Sequence, residues 1–156
     1  MFRTMILNMI KRFVILGGGE SGVGSALLAK QQGYDVFLSE GSSLKNEYRN
    51  ELMNAGIDFE EGKHSSEKIL NADEVMKSPG IPEKTEIMKL IREKGIQVIS
   101  EMELAYRFKG ESKIIAITGS NGKTTTTAMT YHICHEAGLD CAMVGNIGDT
   151  FACGRG

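Results

Sequence analysis

No apolar stretch in this chain of 156 residues is long enough to cross a bilayer. The run Met5-Ile-Leu-Asn-Met-Ile10 is far short of a span and lacks the small-residue cleavage site of a secretory signal, so it reads as an extension leading into the first strand. Cysteine is scarce: Cys134, Cys141 and Cys153 make an odd set without C-x-x-C spacing, which fits buried thiols in a reducing cytosol better than a disulfide framework or a zinc site. His64, His132 and His135 are scattered, and the His132/His135 pair has no carboxylate arranged with it, so all are expected on helix surfaces rather than at a metal. Neither sign of charge dominates. With a net charge of −2, 24% charged and 41% hydrophobic residues, the composition is that of an ordinary globular protein, neither disordered nor built to coat a polyanion. Internal repeats are missing, as is any low-complexity tract beyond Thr124–Thr127. The length suits one domain, or one domain and part of another.

What is present is alternation. Short apolar runs at Phe13–Leu16, Val36–Leu38, Glu74–Met76 and Gln97–Ile99 read as strands, and amphipathic segments at Val23–Gln32, Leu44–Ala55 and Glu83–Lys94 read as helices. This predicts an α/β fold, a Rossmann-like parallel sheet with right-handed crossovers and helices on both faces. Gly33, Gly56 and Gly95 stand where left-handed helix ends are expected. The polar stretch from Phe108 to Lys113 predicts a boundary, giving a first domain over 1–108 and the beginning of a P-loop domain over 109–156. In the second part, strands are expected at Ile114–Ile117 and Cys141–Val144, with a helix from about Thr124 to Glu136.

Two glycine loops carry the chemistry. Gly17-x-Gly19-x-x-Gly22 follows an apolar strand and opens a helix, the layout of a dinucleotide-binding turn, and Glu40 lies roughly 20 residues on, where an NAD enzyme places its ribose acceptor. The second loop, Thr118-Gly-Ser-Asn-Gly-Lys-Thr-Thr125, also joins a predicted strand to a predicted helix. Its glycines allow backbone N–H groups to close round phosphate oxygens, Lys123 brings charge to the β/γ-phosphates and the Thr124 hydroxyl can hold Mg²⁺. Position 117 is Ile rather than the first glycine of a full P-loop, so the loop is a shortened variant. The only acids after Lys123 are Glu136, Asp140 and Asp149, and none ends an apolar strand where a second Mg²⁺ ligand would be needed. Two strands and one helix also leave too much apolar surface uncovered to close a P-loop core, which leads us to expect a chain that stops inside its second domain.

The two loops stand in order with Ser39-Glu40, Lys77-Ser-Pro-Gly80, Ser100-Glu-Met-Glu-Leu104, Ile117–Thr125 and Gly145-Asn-Ile-Gly148. This set resembles the start of the Mur ligases of peptidoglycan synthesis, and within that family the branch that acts on D-glutamate. The likeness runs from about Arg12 to Gly148. It implies that the first domain is a modified Rossmann fold holding a UDP-linked substrate, without nicotinamide. The UDP-substrate site then falls on Gly19, Glu20, Ser21, Gly22, Glu40, Ser78, Pro79, Gly80 and Asn146. Of these, Glu20 to Gly22 would lie at the diphosphate, Glu40 near the uracil end, where the family often has Asp, and Asn146 near the reacting carboxylate.

The resemblance further implies an ATP site on Gly119, Ser120, Asn121, Gly122, Lys123, Thr124, Thr125 and Thr126, with Lys123 and Thr124 catalytic and Thr124 on Mg²⁺. The cofactors implied are ATP and Mg²⁺. The substrates implied are UDP-N-acetylmuramoyl-L-alanine and D-glutamate, joined in the cytoplasm through an acyl phosphate, with no nucleic-acid or membrane partner. An isolated N-terminal part is expected to be inactive. Other readings are another Mur or folylpolyglutamate-type ligase, an NAD-binding Rossmann oxidoreductase, and a non-catalytic UDP-sugar-binding module. The oxidoreductase has no use for the second loop.

Overall fold

A computed structural model describes residues 11–145. Eleven elements follow one another: β1 (Arg12–Leu16), α1 (Glu20–Gln31), β2 (Asp35–Ser39), α2 (Asn46–Asn54), β3 (Asp58–Glu60), α3 (Ser66–Ile69), β4 (Glu74–Lys77), α4 (Glu86–Glu93), β5 (Gln97–Ile99), α5 (Glu101–Phe108) and α6 (Lys123–Glu136). The five strands form one sheet in the order β3-β2-β1-β4-β5, and every pairing is parallel. The expected α/β architecture is therefore present.

The strand sequences explain why both faces are covered. Successive side chains of a strand point to opposite faces. Phe13 and Ile15 of β1 pack with Leu38, Met76, Val23 and Ala26 in one core, whereas Val14 and Leu16 pack with Val75, Ile69, Ile87 and Ile91 in the other. Apolar residues are needed at consecutive positions because each face meets helices. At the far end, Arg107 of α5 makes a two-pronged ion pair with the buried Glu74 carboxylate, both bonds at 2.8 Å.

Three elements of the sheet domain fall outside the alternation read from sequence. β3 and α3 are only three and four residues long, too short for a hydrophobic period to declare itself. α5 does carry a start signal: the Ser100 hydroxyl accepts a hydrogen bond from Glu103 N–H at 3.2 Å, as a helix N-cap does. Gly33, Gly56 and Gly95 do have positive φ at the expected helix ends.

Beyond α5 two strand expectations are corrected. Residues 114–117 form no strand, and of 141–144 only Val144 makes an isolated bridge. A strand exists through the ladder of a neighbour, and no described strand pairs with either segment. Residues 109–145 include no buried position, and Ile115, Met129, Ile133 and Leu139 are all more than half exposed. The thiols of Cys134 and Cys141 are accordingly part-exposed rather than buried, while Cys153 lies outside the described residues. No helix among the described residues is long and apolar enough to cross a membrane.

Candidate functional site

The chain leaves β3 on one side of β1 and returns as β4 on the other, so the loops after β1 and β4 part at the carboxyl end of the sheet. In parallel α/β folds that switch point opens a crevice. Here it holds a cavity of about 490 Å³. Gly19, Glu20, Ser21, Gly22, Glu40, Ser78, Pro79 and Gly80 all line it, so eight of the nine residues placed at a UDP-linked substrate from sequence come together. The ninth, Asn146, lies outside the described residues.

The glycine turn is built by close approach. Gly17 adopts φ +101°, and a Cβ there would sit 2.8 Å from both Cβ and Oγ of Ser78. A Cβ on Gly22 would fall 1.8 Å from the Gly17 carbonyl oxygen, so the first turn of α1 can pack against the loop only without a side chain. The helix consequently starts at Glu20, earlier than its apolar pattern suggests, and its N-terminal N–H groups face the cavity where an anion would be favoured.

Glu40 braces this turn. Its Oε2 accepts from Gly18 N–H at 2.6 Å, and its Oε1 accepts from the N–H and hydroxyl of Ser42, both at 2.7 Å. Burial pushes the Glu40 carboxyl up, but these hydrogen bonds together outweigh it and hold it below the ordinary value of 4.5. Opposite, Ser78 N–H donates to Leu16 O at 2.9 Å, continuing the sheet, while the Ser78 hydroxyl is buried under the turn without a partner among the described residues. Lys77 secures the Ser78–Ile81 loop: its ammonium donates to Ile81 O at 2.9 Å and lies 3.3 Å from Glu83.

His64 was expected on a helix surface and is instead a cavity residue, in the loop between β3 and α3. Its Nδ1 lies 2.7 Å from the Ser39 hydroxyl, which lies 2.8 Å from Glu60 Oε1. No spacing rule around a single histidine could have placed it, because the contact depends on β2 and β3 pairing. His132 and His135 are exposed on α6, as expected.

The second loop contributes nothing to this cavity wall. Gly122, with φ +75°, is the N-cap of α6, and the Lys123 ammonium folds back across the loop to the Gly119 and Ser120 carbonyls. Thr126 donates its N–H and its hydroxyl to Gly122 O, both at 2.9 Å, and the Thr127 hydroxyl donates to Lys123 O at 2.8 Å. Thr124 and Thr125 keep hydroxyls uncommitted to described residues. A helix N-terminus, a lysine poised over the loop and two such hydroxyls fit a phosphate chain with a Mg²⁺ ion. Among the described residues no cluster of three His, Cys, Asp or Glu could hold a metal alone.

Comparison with known proteins gives both loops one context. Residues 12–87 match the sequence model of the MurD N-terminal domain, and residues 117–153 match that of the Mur ligase middle domain. The chain is 57% identical over 145 residues to a UDP-N-acetylmuramoylalanine–D-glutamate ligase of Cytophaga hutchinsonii, covering 92% of this chain and 32% of the relative. It is 52% identical over 143 residues to the Bacteroides fragilis protein of the same name, with the same coverage of 92% and 32%. The chain thus spans about a third of the length of the curated relatives it matches. Among solved structures, a murein peptide ligase from Psychrobacter arcticus aligns with TM-score 0.63 and 26% identity over 83% of this chain and 27% of that one. A UDP-N-acetylmuramate–alanine ligase from Thermotoga maritima aligns with TM-score 0.57 and 27% identity, over 81% and 30%. With both loops inside matched regions and identity above half across most of its length, this chain belongs to the Mur ligase family.

Proposed function

We propose that residues 1–108 hold the UDP part of UDP-N-acetylmuramoyl-L-alanine and that residues from 109 on begin the ATP-binding domain of a D-glutamate-adding ligase acting in the cytoplasm. The observation that carries this reading is the convergence of Gly19–Gly22, Glu40 and Ser78–Gly80 on one cavity at the switch point of the sheet. The names of the relatives favour D-glutamate over the other amino acids that the family adds.

The chemistry requires two nucleotide sites. A carboxylate does not condense with an amine at neutral pH, because its anion is a poor electrophile and oxide a poor leaving group. ATP with Mg²⁺ supplies the activating phosphoryl group, turning the L-alanyl carboxylate into an acyl phosphate that the amine of D-glutamate attacks. Lys123 would stabilise charge on the phosphoryl oxygens, and the backbone of Gly119–Gly122 would orient them. The glycine turn before α1 would fix the diphosphate of the other substrate, positioning the reacting end through remote binding. No residue of the chain is required as a covalent nucleophile.

The rival NAD reading is disfavoured by Glu40. A carboxylate offers about four acceptor positions, and three bonds from Gly18 and Ser42 already take three of them, leaving too few for the two hydroxyls of a ribose diol. Titration calorimetry of the chain with UDP-N-acetylmuramoyl-L-alanine, NAD and ATP tests the proposal. Binding of the UDP compound without NAD binding is expected; the opposite pattern overturns it.

A further inference from the structure

The cavity wall is poor in positive charge for a phosphate site. Its ionisable residues are Glu20, Glu40 and His64, and neither lysine nor arginine is among the described residues that line it. Lys77 stands at the base of the Ser78–Ile81 loop, but its ammonium is taken up by Ile81 O at 2.9 Å and by Glu83 at 3.3 Å. Attraction for an anion therefore comes from backbone. The first intrahelical bond of α1 runs from Val23 N–H to Gly19 O at 3.0 Å, and the N-cap Gly19 has no side chain to serve the N–H groups of Glu20, Ser21 and Gly22. Those groups and the partial positive charge of the helix end are what the cavity offers a diphosphate.

The two carboxylates of the wall differ. Glu40 is held by Gly18 and Ser42. Glu20 is exposed in the first turn of α1, lines the cavity, and makes no hydrogen bond or ion pair with a described residue. A carboxylate favours this end of a helix, so it competes with a bound anion for the same partial charge. Its repulsion grows with each charge the ligand carries. A terminal phosphate has about two negative charges near neutral pH, whereas an esterified one has about one. A free nucleotide and its sugar-linked form share base, ribose and diphosphate, and within that shared part the charge of the outer phosphate is the difference that remains.

We propose that Glu20 is a specificity residue that turns away nucleotides ending in a free phosphate and so favours the esterified diphosphate of a sugar-linked substrate, a role that rests on the reading of this cavity as a uridine-diphosphate site. The wall has no cation to offset a second charge on the outer phosphate, so the penalty falls on the free nucleotide. For unit charges about 6 Å apart it amounts to about threefold in affinity in water and about tenfold where the effective dielectric is half as large. The free nucleotide would otherwise occupy the same N–H groups without bringing a group to react.

The test is calorimetric titration of the chain with UDP and with the β-methyl ester of UDP, which has the same skeleton and one ionisable oxygen fewer. EDTA keeps both ligands free of metal, and a pH of about 7.5 keeps the terminal phosphate ionised. The unmodified protein is expected to bind the ester more tightly than UDP, and added salt should narrow the gap. Glu20→Gln should shift the ratio of the two affinities toward UDP by about three- to tenfold, mainly by tightening UDP. Glu20→Asp, which keeps the charge, should keep the preference for the ester. A role in stabilising α1 alone would lower the melting temperature and leave that ratio at its parental value. If the unmodified protein binds neither ligand, the uridine-site reading falls and the role of Glu20 with it. If both bind but UDP binds at least as tightly as the ester, or Glu20→Gln leaves the ratio unchanged, only the role of Glu20 is overturned.

Discussion

The Glu40 carboxylate accepts a hydrogen bond from the Gly18 N–H at 2.6 Å, tying the end of β2 to the glycine turn that follows β1. An acid at this position in a Rossmann-like fold suggests a ligand acceptor, yet its main partners here are the protein's own. Glu40→Gln should therefore act through the turn. The amide must present its NH₂ to one of the donors it now accepts, and charge-assisted bonds of this kind contribute about 1.5–3 kcal/mol when well buried. For a part-exposed carboxylate we expect a loss of about 1 kcal/mol of stability by urea unfolding. UDP affinity should fall by a similar factor. Unchanged stability with lost affinity would show that Glu40 serves the ligand directly.

Gly22 and Gly19 should separate folding from binding. Gly22→Ala places a methyl group 1.8 Å from a backbone oxygen that cannot rotate away. Overpacking against backbone costs about 3 kcal/mol or more, so the variant should melt well below the parent or fail to fold. An added Cβ on Gly19 meets nothing within 4 Å, and its φ of −75° is ordinary for any residue. Gly19→Ala should melt like the parent but bind UDP more weakly, because the methyl group stands at the cavity mouth. Equal melting of the two variants would refute this account of the turn.

Acid should loosen the sheet edge that carries Glu40 and Glu60. In both, burial raises the carboxyl and hydrogen bonds lower it further, so each folded value lies below 4.5. A carboxyl depressed in the folded state contributes stability that is complete above its unfolded value. That contribution is lost as pH falls through the folded one. Melting temperature should hold from pH 7 to about 5 and decline below the ordinary carboxylate range near 4.3. Glu60→Gln should lower the plateau and flatten the decline; an unchanged slope would remove Glu60 from the linkage.

Arg107 and Glu74 offer a test at the opposite end of the sheet. Glu74 is buried and Arg107 is about a third exposed, so removing the arginine strands a carboxylate. Breaking fully buried pairs costs about 3–5 kcal/mol, and the partial exposure of Arg107 brings the expected loss for Arg107→Met to about 2 kcal/mol. The double variant Glu74→Leu with Arg107→Met should recover most of it, since an apolar pair leaves no unpaired charge. Additive losses would mean that the two side chains do not depend on each other.

The sequence made the sheet domain legible where periods were long. The strands containing Phe13–Leu16, Val36–Leu38 and Glu74–Met76 are present with slightly wider ends, and Gln97–Ile99 with the same bounds. β3 and α3 were not visible because each depends on neighbours more than on its own few residues. The cavity was readable as far as glycine spacing and Ser78-Pro79-Gly80 allowed. His64 was not, since its ring is set by Ser39 and Glu60, which the chain brings from separate strands. Ile114–Ile117 shows the reverse failure: an apolar β-branched run predicts a strand, but such a run specifies only a preference, and the ladder must come from another segment.

The second loop can be tested independently of the first because α6 buries no residue. Lys123 reaches back to the Gly119 and Ser120 carbonyls, an arrangement that holds the ammonium over the loop but spans only exposed atoms. Its loss should cost the fold no more than about 0.5 kcal/mol, the ordinary range for surface substitutions. A triphosphate chain carries several negative charges, so removing the one lysine of the loop should weaken it far more than the fold. Lys123→Ala should therefore leave the melting temperature and the UDP affinity at parental values and lower any ATP affinity of the chain at least tenfold, measured by calorimetry with Mg²⁺ present. Thr124→Ala should resemble it only when Mg²⁺ is present, because on the proposed reading the hydroxyl would hold the ion whereas the ammonium would meet the phosphates. A Thr124 effect that persists in EDTA would mean that the hydroxyl binds phosphate rather than metal.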